Sequence, residues 1–169
     1  MRLVAFLRAI NVGGHVVRME DLRRIFVESG QSNVETFIAS GNVIFESKSR
    51  SVPALTRTLE QALLNALKYE VATFIRPMSE VARIASRQPF GKPTGTLFVG
   101  FLSEPASQEK LQRLITPIDQ FHIEGSEIYW HRLDRESEIT GGTIEKVLGL
   151  RATLRNMNTI QRIAAKYGV

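Results

Sequence analysis

The pattern of apolar and polar positions in the first 76 residues predicts a strand, a helix, a hairpin of two strands, a second helix and a last strand. The apolar run "RLVAFLRAI" predicts a first strand, and "MEDLRRIFVESG" follows with apolar residues on one helical face. "VETFIASGNVIFES" predicts a hairpin with its turn at Ser40-Gly41. "SVPALTRTLEQALLNALKY" predicts a second helix with Ser51 as its N-cap, before the strand "YEVATFIRP". This β-α-β-β-α-β order is that of a ferredoxin-like unit.

A connecting helix, at about 79–87, and the Pro/Gly-rich stretch "RQPFGKPTG" follow this first unit. They indicate a boundary, so we predict three parts. Residues 1–76 form an N-terminal half, residues 77–95 form a connecting helix and loop, and residues 96–169 form a C-terminal half.

The C-terminal half predicts the same element order again. "TLFVGFL" is a strand, "SQEKLQRLI" a helix, and "QFHIEGSEIYWHRL" a hairpin around Gly125-Ser126. "TIEKVLG" predicts a short helix capped by Thr143, and "LRATL" a short last strand. A final helix at about 158–166 has an apolar stripe. The predicted fold class is therefore α+β, with two ferredoxin-like halves, antiparallel sheets, a connecting helix and a C-terminal helix. The halves share an element order without obvious sequence identity.

Composition excludes several kinds of site. The chain is 43% hydrophobic and 23% charged, which is ordinary for a globular protein, and it has no cysteine. Disulfides and thiolate metal sites are thereby excluded, and a cytoplasmic location is the default expectation. No apolar run reaches the ~18–20 residues of a membrane span, so no membrane partner is predicted. His15, His122 and His131 lack metal-ligand spacing, so no metal site is predicted, and the two hairpin histidines are expected to face the surface or pack.

Known cofactor and phosphate-binding motifs are absent. The chain has neither G-x-x-x-x-G-K-[ST] nor G-x-G-x-x-G, and no cofactor follows from it. A sheet that reads RNA needs exposed aromatic side chains. In the strand "NVIFES" the aromatic residue is Phe45, and it shares a strand face with Val43. This favours a core position for Phe45 rather than a base-stacking role. No oligomeric state follows from the sequence.

The net charge of +5 is concentrated at the C-terminal end. Residues 146–169 hold five basic side chains and no acidic one, whereas the rest of the chain is balanced. The basic residues are Lys146, Arg151, Arg155, Arg162 and Lys166. This end predicts either a surface for phosphates or nucleic acid, or simply a solvated basic helix face.

Two polar, glycine-bearing loops are predicted to meet at one edge of the first sheet. Strands joined by a crossover helix run parallel, so the ends of the first and second strands lie together. Ligands tend to bind outside such strand ends. Glycines would let backbone N–H groups approach a ligand, and the polar side chains would orient it. The candidate residues are Arg8, Asn11, Gly13, Gly14, Ser40, Gly41 and Asn42. The alternative is turn chemistry alone, and the acidic residues Glu20 and Asp21 argue against a strongly anionic ligand.

A second cluster, "TLRNMNTI", precedes the final helix. Asn156, Asn158 or Thr159 could cap that helix, and Arg155 lies beside its amino end, where an anion is favoured. A helix cap needs only one such residue, whereas this cluster has five polar residues: Thr153, Arg155, Asn156, Asn158 and Thr159. The segment is therefore a candidate part of a ligand site.

The motifs "RAINVGG", "SGNVIF" and "TLRNMNT" together resemble the markers of a bacterial domain-of-unknown-function family, family 1697, over nearly the whole chain. The family typically has tryptophan where this chain has Met157, glycine where it has Ala9, and a lysine near His15. Met157 therefore cannot supply an aromatic ring for stacking. The resemblance implies an α+β fold and a bacterial cytoplasmic protein, and it implies no particular activity.

The function predicted from these features is recognition of an anionic or phosphorylated ligand, nucleotide or nucleic acid. One alternative is an enzyme that acts on a small polar metabolite at the same loop edge. The other is a protein-interaction module without a small-molecule site.

Overall fold

The computed structural model of the chain describes residues 1–8, 10, 16–38, 41–91 and 94–168. Its contacts divide the chain into two compact units, one formed by residues 1–81 with Gly168 and the other by residues 82–167. The division falls inside a helix that the sequence analysis assigned to the connecting segment. The sequence predicts three parts, with boundaries at 76/77 and 95/96, and this finer division remains a prediction.

The first unit is a four-stranded antiparallel sheet with two helices on one face. Its elements are β1 (Arg2–Leu7), α1 (Met19–Glu28), β2 (Ser32–Thr36), β3 (Asn42–Glu46), α2 (Val52–Leu67) and β4 (Thr73–Pro77). The strand order β2-β3-β1-β4 and antiparallel pairing are those of a ferredoxin-like sheet. The predicted element order of this half is confirmed.

Alternating strand positions and helical stripes explain why this unit closes. Leu3, Ala5 and Leu7 alternate along β1 and enter a core with the α1 and α2 stripes. Ser51 caps α2 as expected, because its Oγ accepts from Ala54 N at 3.2 Å. Phe45 is fully buried and meets Phe26 edge-on at a centroid distance of 5.3 Å, so it offers no stacking platform for a base.

The second unit has the same architecture. It contains β5 (Thr96–Leu102), a 3₁₀ helix (Gln108–Arg113), β6 (Asp119–Glu124), β7 (Glu127–Arg132), α4 (Gly141–Leu148) and β8 (Ala152–Asn156). The strand order is β6-β7-β5-β8, again fully antiparallel. The 3₁₀ helix and α4 cover one sheet face, where Leu111, Ile144 and Trp130 join the core. Two further helices, α3 (Met78–Ala85) and α5 (Met157–Tyr167), directly follow β4 and β8.

Three local predictions in this half need correction. "SQEKLQRLI" forms a 3₁₀ helix rather than an α-helix. The N-cap of α4 is Thr140, not Thr143, because Thr140 Oγ1 accepts from Thr143 N and Thr143 completes a capping box. The last strand, β8, runs to Asn156 instead of ending at residue 154, so α5 begins immediately after it. Tertiary pairing with β5 extends a strand that local apolar pattern ends too early.

The registers of the two sheets reveal a sequence repeat that the element order alone conceals. Val4 on β1 pairs with Arg76 on β4, and Val99 on β5 pairs with Arg155 on β8. Aligned on these pairs, "RPMSEVARIA" (76–85) and "RNMNTIQRIA" (155–164) are identical at five of ten positions. The expectation that the halves lack obvious identity is thus wrong for the strand–helix junctions.

Candidate functional site

In the first unit, the exit of β1 and the tip of the β2–β3 hairpin meet as predicted. Leu7 N donates to Gly41 O at 2.9 Å. Gly41 has a φ of +81°, and a Cβ there would lie 3.1 Å from side-chain atoms of both Leu7 and Ile10. Glycine is needed here because the turn is left-handed and the β1 exit packs directly on it.

Asn42 holds this turn rather than facing solvent. Its side chain is 1% exposed, and Nδ2 donates to Phe37 O at 3.0 Å while Phe37 N donates to Asn42 O at the same distance. Arg8 is half-buried, and its backbone N donates to Ala72 O at 2.9 Å. Both residues lie at the predicted edge, and the described contacts of Asn42 are those of turn chemistry.

Several candidate residues of this edge lie outside the described part of the chain. They are Asn11, Gly13, Gly14 and Ser40. Their role at a ligand site remains a prediction.

In the second unit, Arg155 and Thr153 share the face of β8 that lies beside Val99 and Phe101 of β5. Arg155 is 9% exposed and Thr153 is 7% exposed. Arg155 Nη1 donates to Thr153 Oγ1 at 2.8 Å and to Leu154 O at 2.9 Å. Burial lowers the pKa of the Arg155 guanidinium to about 10, because the charged form has lost hydration. These two bonds fix the plane of a buried guanidinium.

The junction of β8 and α5 orders the other polar residues of the segment. Asn156 Oδ1 accepts from Asn158 N at 2.9 Å, so Asn156 acts as the cap. Asn158 is exposed and Thr159 is half-buried, both in the first turn of α5, whose amino end favours negative charge. Met157 is buried. One of the three predicted capping residues thus performs that function.

Arg76 repeats the arrangement of Arg155 at the end of β4. Its Nη1 donates to Ile75 O at 3.0 Å, matching the bond from Arg155 to Leu154 O. Arg76 is half-buried, whereas Arg155 is nine-tenths buried. Both arginines therefore donate to the carbonyl oxygen of the preceding residue. Only Arg155, in the second unit, is deeply buried.

Exposed basic side chains accompany this segment. Lys146, Arg151, Arg162 and Lys166 are all exposed, and the Lys166 ammonium lies 5.3 Å from the centre of the Tyr167 ring. A separate hollow of about 440 Å³ in the same unit has Arg132 and Arg135 among its lining residues. The Arg132 guanidinium is stacked over Phe98 at 5.0 Å from the ring centre. Asp134 also lines the hollow and offsets part of its positive charge.

The β6–β7 hairpin carries a polar cluster to which the sequence analysis gave no role. Glu124 bonds to Arg87, and its Oε1 lies 3.1 Å from His122 Nε2. The Tyr129 side chain is fully buried, and its hydroxyl has no partner among the residues that the structure describes. Burial raises the pKa of Tyr129, and the Glu127 carboxylate adds to this. The pairing of His122 with Glu124 could have been predicted from strand alternation, since residues 122 and 124 of one strand share a sheet face.

The charges of this cluster are balanced within it. Arg83 faces Glu127 at 3.6 Å, as Arg87 faces Glu124. Across the described ranges, no group of three or more histidine and acidic residues is arranged to hold a metal ion. No helix in those ranges is long and apolar enough to cross a membrane.

These features define an α+β protein made of two consecutive ferredoxin-like units. The chain belongs to the family described as "Protein of unknown function (DUF1697)", whose model matches residues 1–129. The resemblance drawn from the three motifs is therefore confirmed at the level of the family.

A solved structure supports the fold over the whole chain. It is titled "The structure of conserved bacterial protein SP0830 from Streptococcus pneumoniae", and it matches with a TM-score of 0.75 at 20% sequence identity. The match covers 97% of each chain, so the likeness in fold extends over nearly the whole length of both proteins. No curated protein matches the chain.

Proposed function

We propose that this protein recognises a phosphorylated ligand at the junction of β8 and α5. The observation that carries the proposal is the nine-tenths-buried Arg155, which is oriented by Thr153 Oγ1 and Leu154 O at the point where α5 begins. These two bonds hold the guanidinium in one orientation, and forked, charged donors bind anions more strongly than neutral groups do. Phosphate suits this role because its oxygens match the forked donors of arginine.

The amino end of α5 adds to the attraction for an anion at this junction. Helix N–H groups and the helix dipole favour negative charge within the first turn. Asn158 and Thr159 project from that turn and supply polar side chains. Asn156 is occupied as the cap, so we assign it a positioning role rather than ligand contact.

The basic C-terminal region supports the same class of ligand at longer range. Four exposed cations, Lys146, Arg151, Arg162 and Lys166, lie in the segment that contains the junction. Exposed charges of one sign raise the local concentration of oppositely charged ligands, and salt weakens this effect. The proposal therefore includes a salt-dependent on-rate besides a specific contact at Arg155.

The loop edge of the first unit has a smaller part in this proposal. The described contacts of Gly41 and Asn42 maintain a turn. Arg8, Asn11, Gly13, Gly14 and Ser40 remain candidate ligand contacts from the sequence.

Thermal unfolding in the presence of phosphates tests the proposal. The panel contains inorganic phosphate, a nucleoside monophosphate, a sugar phosphate and a short single-stranded oligonucleotide, each at low and moderate salt. A ligand at 100 times its dissociation constant adds about 2.7 kcal/mol to the stability. For a chain of this size that corresponds to a rise in Tm of about 5–10 °C.

Variants separate a specific site from general attraction. Arg155→Gln removes the charge and Arg155→Lys removes the fork, and each is compared with its own unliganded Tm. Both should lose the rise produced by a small phosphate, whereas Arg57→Gln, an exposed arginine on α2, should keep it.

Three results would count against the proposal. A rise that survives Arg155→Gln but disappears in Arg132→Gln/Arg135→Gln would place the anion in the other hollow. A rise only with the oligonucleotide, abolished by salt, would assign the function to the exposed basic residues and to nucleic acid. No rise with any phosphate would favour the interaction-module alternative.

A further inference from the structure

A cleft of about 610 Å³ lies within the second unit, separate from the β8–α5 junction. One wall is the loop that follows the 3₁₀ helix, with Thr116, Pro117 and Ile118. The other wall is the segment leading into α4, with Ser137 and Ile139. Clefts of roughly 300–1,000 Å³ are typical of small-molecule sites.

One buried carboxylate bonds to both of the segments that line the cleft. Asp119 is 1% exposed, and its Oδ2 accepts from Thr116 Oγ1 at 2.7 Å. Its Oδ1 accepts from Ser137 Oγ at 2.6 Å and from the indole Nε1 of Trp130 at 2.9 Å. Because Thr116 and Ser137 belong to two different segments of the lining, their bonds to Asp119 tie these segments together. A site held in this way needs little rearrangement to receive a ligand.

The lining of the cleft combines apolar walls with an excess of acid. Three carboxylates, those of Asp119, Glu136 and Glu138, line it together with a single guanidinium, that of Arg113. The chain as a whole has a net charge of +5, so this acidic patch opposes the general sign of the protein. An excess of negative charge beside apolar walls favours a cation that carries apolar surface over an anion.

The carboxylates at the rim of the cleft indicate the polar group of the ligand, because Asp119 itself is only 1% exposed. Both oxygens of Asp119 already accept bonds from within the protein, from Thr116, Trp130 and Ser137. A carboxylate accepts bonds and donates none, so the complementary group is a hydrogen-bond donor, and among donors a protonated amine also matches its negative charge. Glu136 and Glu138 are exposed and add acceptors at the rim.

We propose that this cleft binds a small molecule with a protonated amine on an apolar body. The apolar part would contact Leu114, Pro117 and Ile139, and the ammonium would face the rim carboxylates of Glu136 and Glu138. This site is distinct in residues and in charge from the proposed phosphate site, so either can fail without the other.

Three ring compounds of similar size test the charge preference. Benzylamine, benzyl alcohol and benzoate are titrated separately into ¹⁵N-labelled full-length protein, and amide chemical shifts are followed. Benzylamine should shift the amides of residues 114–119 and 136–139 with saturation. Benzyl alcohol should bind about tenfold more weakly, and benzoate should not saturate. Equal binding of all three, or shifts confined to other residues, would overturn the proposal.

Matched charge variants test the acidic rim. Glu136→Gln/Glu138→Gln should weaken benzylamine binding by about tenfold, since both rim carboxylates lose their negative charge. The control Glu104→Gln/Glu109→Gln changes the net charge equally at two exposed acids that do not line the cleft. An equal loss in both double variants would show that only overall charge matters, and this too would overturn the proposal.

Discussion

Asp119 is the residue whose removal should most clearly damage the second unit. Asp119→Ala takes away the acceptor of three donors, those of Thr116, Ser137 and the Trp130 indole. Hydrogen bonds to a charged group are each worth about 1.5–3 kcal/mol. Adding three such bonds overstates the loss, because Thr116 is exposed and Ser137 is half-buried, so both hydroxyls can turn toward water.

The indole cannot recover in the same way. Trp130 is 3% exposed, so its N–H would remain buried without an acceptor. We expect a loss of about 3–5 kcal/mol, which corresponds to a fall in Tm of roughly 6–20 °C. Asp119→Asn keeps one carbonyl oxygen for Trp130 and Ser137, and it should cost only about 1–2 kcal/mol.

The assay for both Asp119 variants is thermal and urea unfolding followed by tryptophan emission. Trp130 is the only tryptophan in the chain, so its emission reports on the environment that Asp119 maintains. The reasoning would be refuted if Asp119→Ala shifted Tm by less than about 2 °C, or if the asparagine variant were as damaging as alanine.

Two further predictions follow from single positions. Tyr129→Phe should remove a pH dependence: burial raises the pKa of Tyr129 above 10.0, so the wild type should lose stability as pH rises from 10.0 toward the folded-state pKa. Urea unfolding from pH 9 to 11 should show this loss in wild type relative to Tyr129→Phe, and parallel curves would contradict it. Gly95→Ala should lower Tm by about 5–15 °C, since Gly95 has a φ of +81° and a Cβ there would collide with the backbone oxygen of Arg132. The control is Gly149→Ala, at a φ of +69° with no neighbouring atoms within 4 Å, which should lower the stability only through backbone strain. Equal falls in Tm for the two variants would contradict the steric explanation for Gly95.

Element type could be predicted from the sequence wherever one physical signal was strong. The stripe Leu55, Leu59 and Leu63 has helical period and a serine cap, and α2 forms as expected. The hairpin around Gly125-Ser126 has two alternating strands and a left-handed glycine, and it also forms as expected. In both cases the local pattern and tertiary packing favour the same structure.

Boundaries were less predictable because partners distant in sequence decide them. Nothing local makes "RN" at 155–156 a strand, but pairing with Phe98 and Val99 of β5 does. The capping of α4 shows the same difficulty on a smaller scale. Thr140 and Thr143 are both suitable caps, and the structure uses them together with Thr140 as the N-cap.

The two candidate sites differ in how much of their chemistry could be predicted from the sequence. "TLRNMNTI" shows its polar residues together, so the β8–α5 junction could be predicted, although the burial of Arg155 could not. The cleft around Asp119 joins residues 116, 119, 130 and 137, whose hydroxyls, carboxylate and indole have no shared motif. Such a site is defined by sheet register and loop closure, which bring Trp130 and Ser137 to one carboxylate. A sequence motif therefore identifies a site best when one segment supplies most of its side chains, and the Asp119 cleft lies beyond that limit.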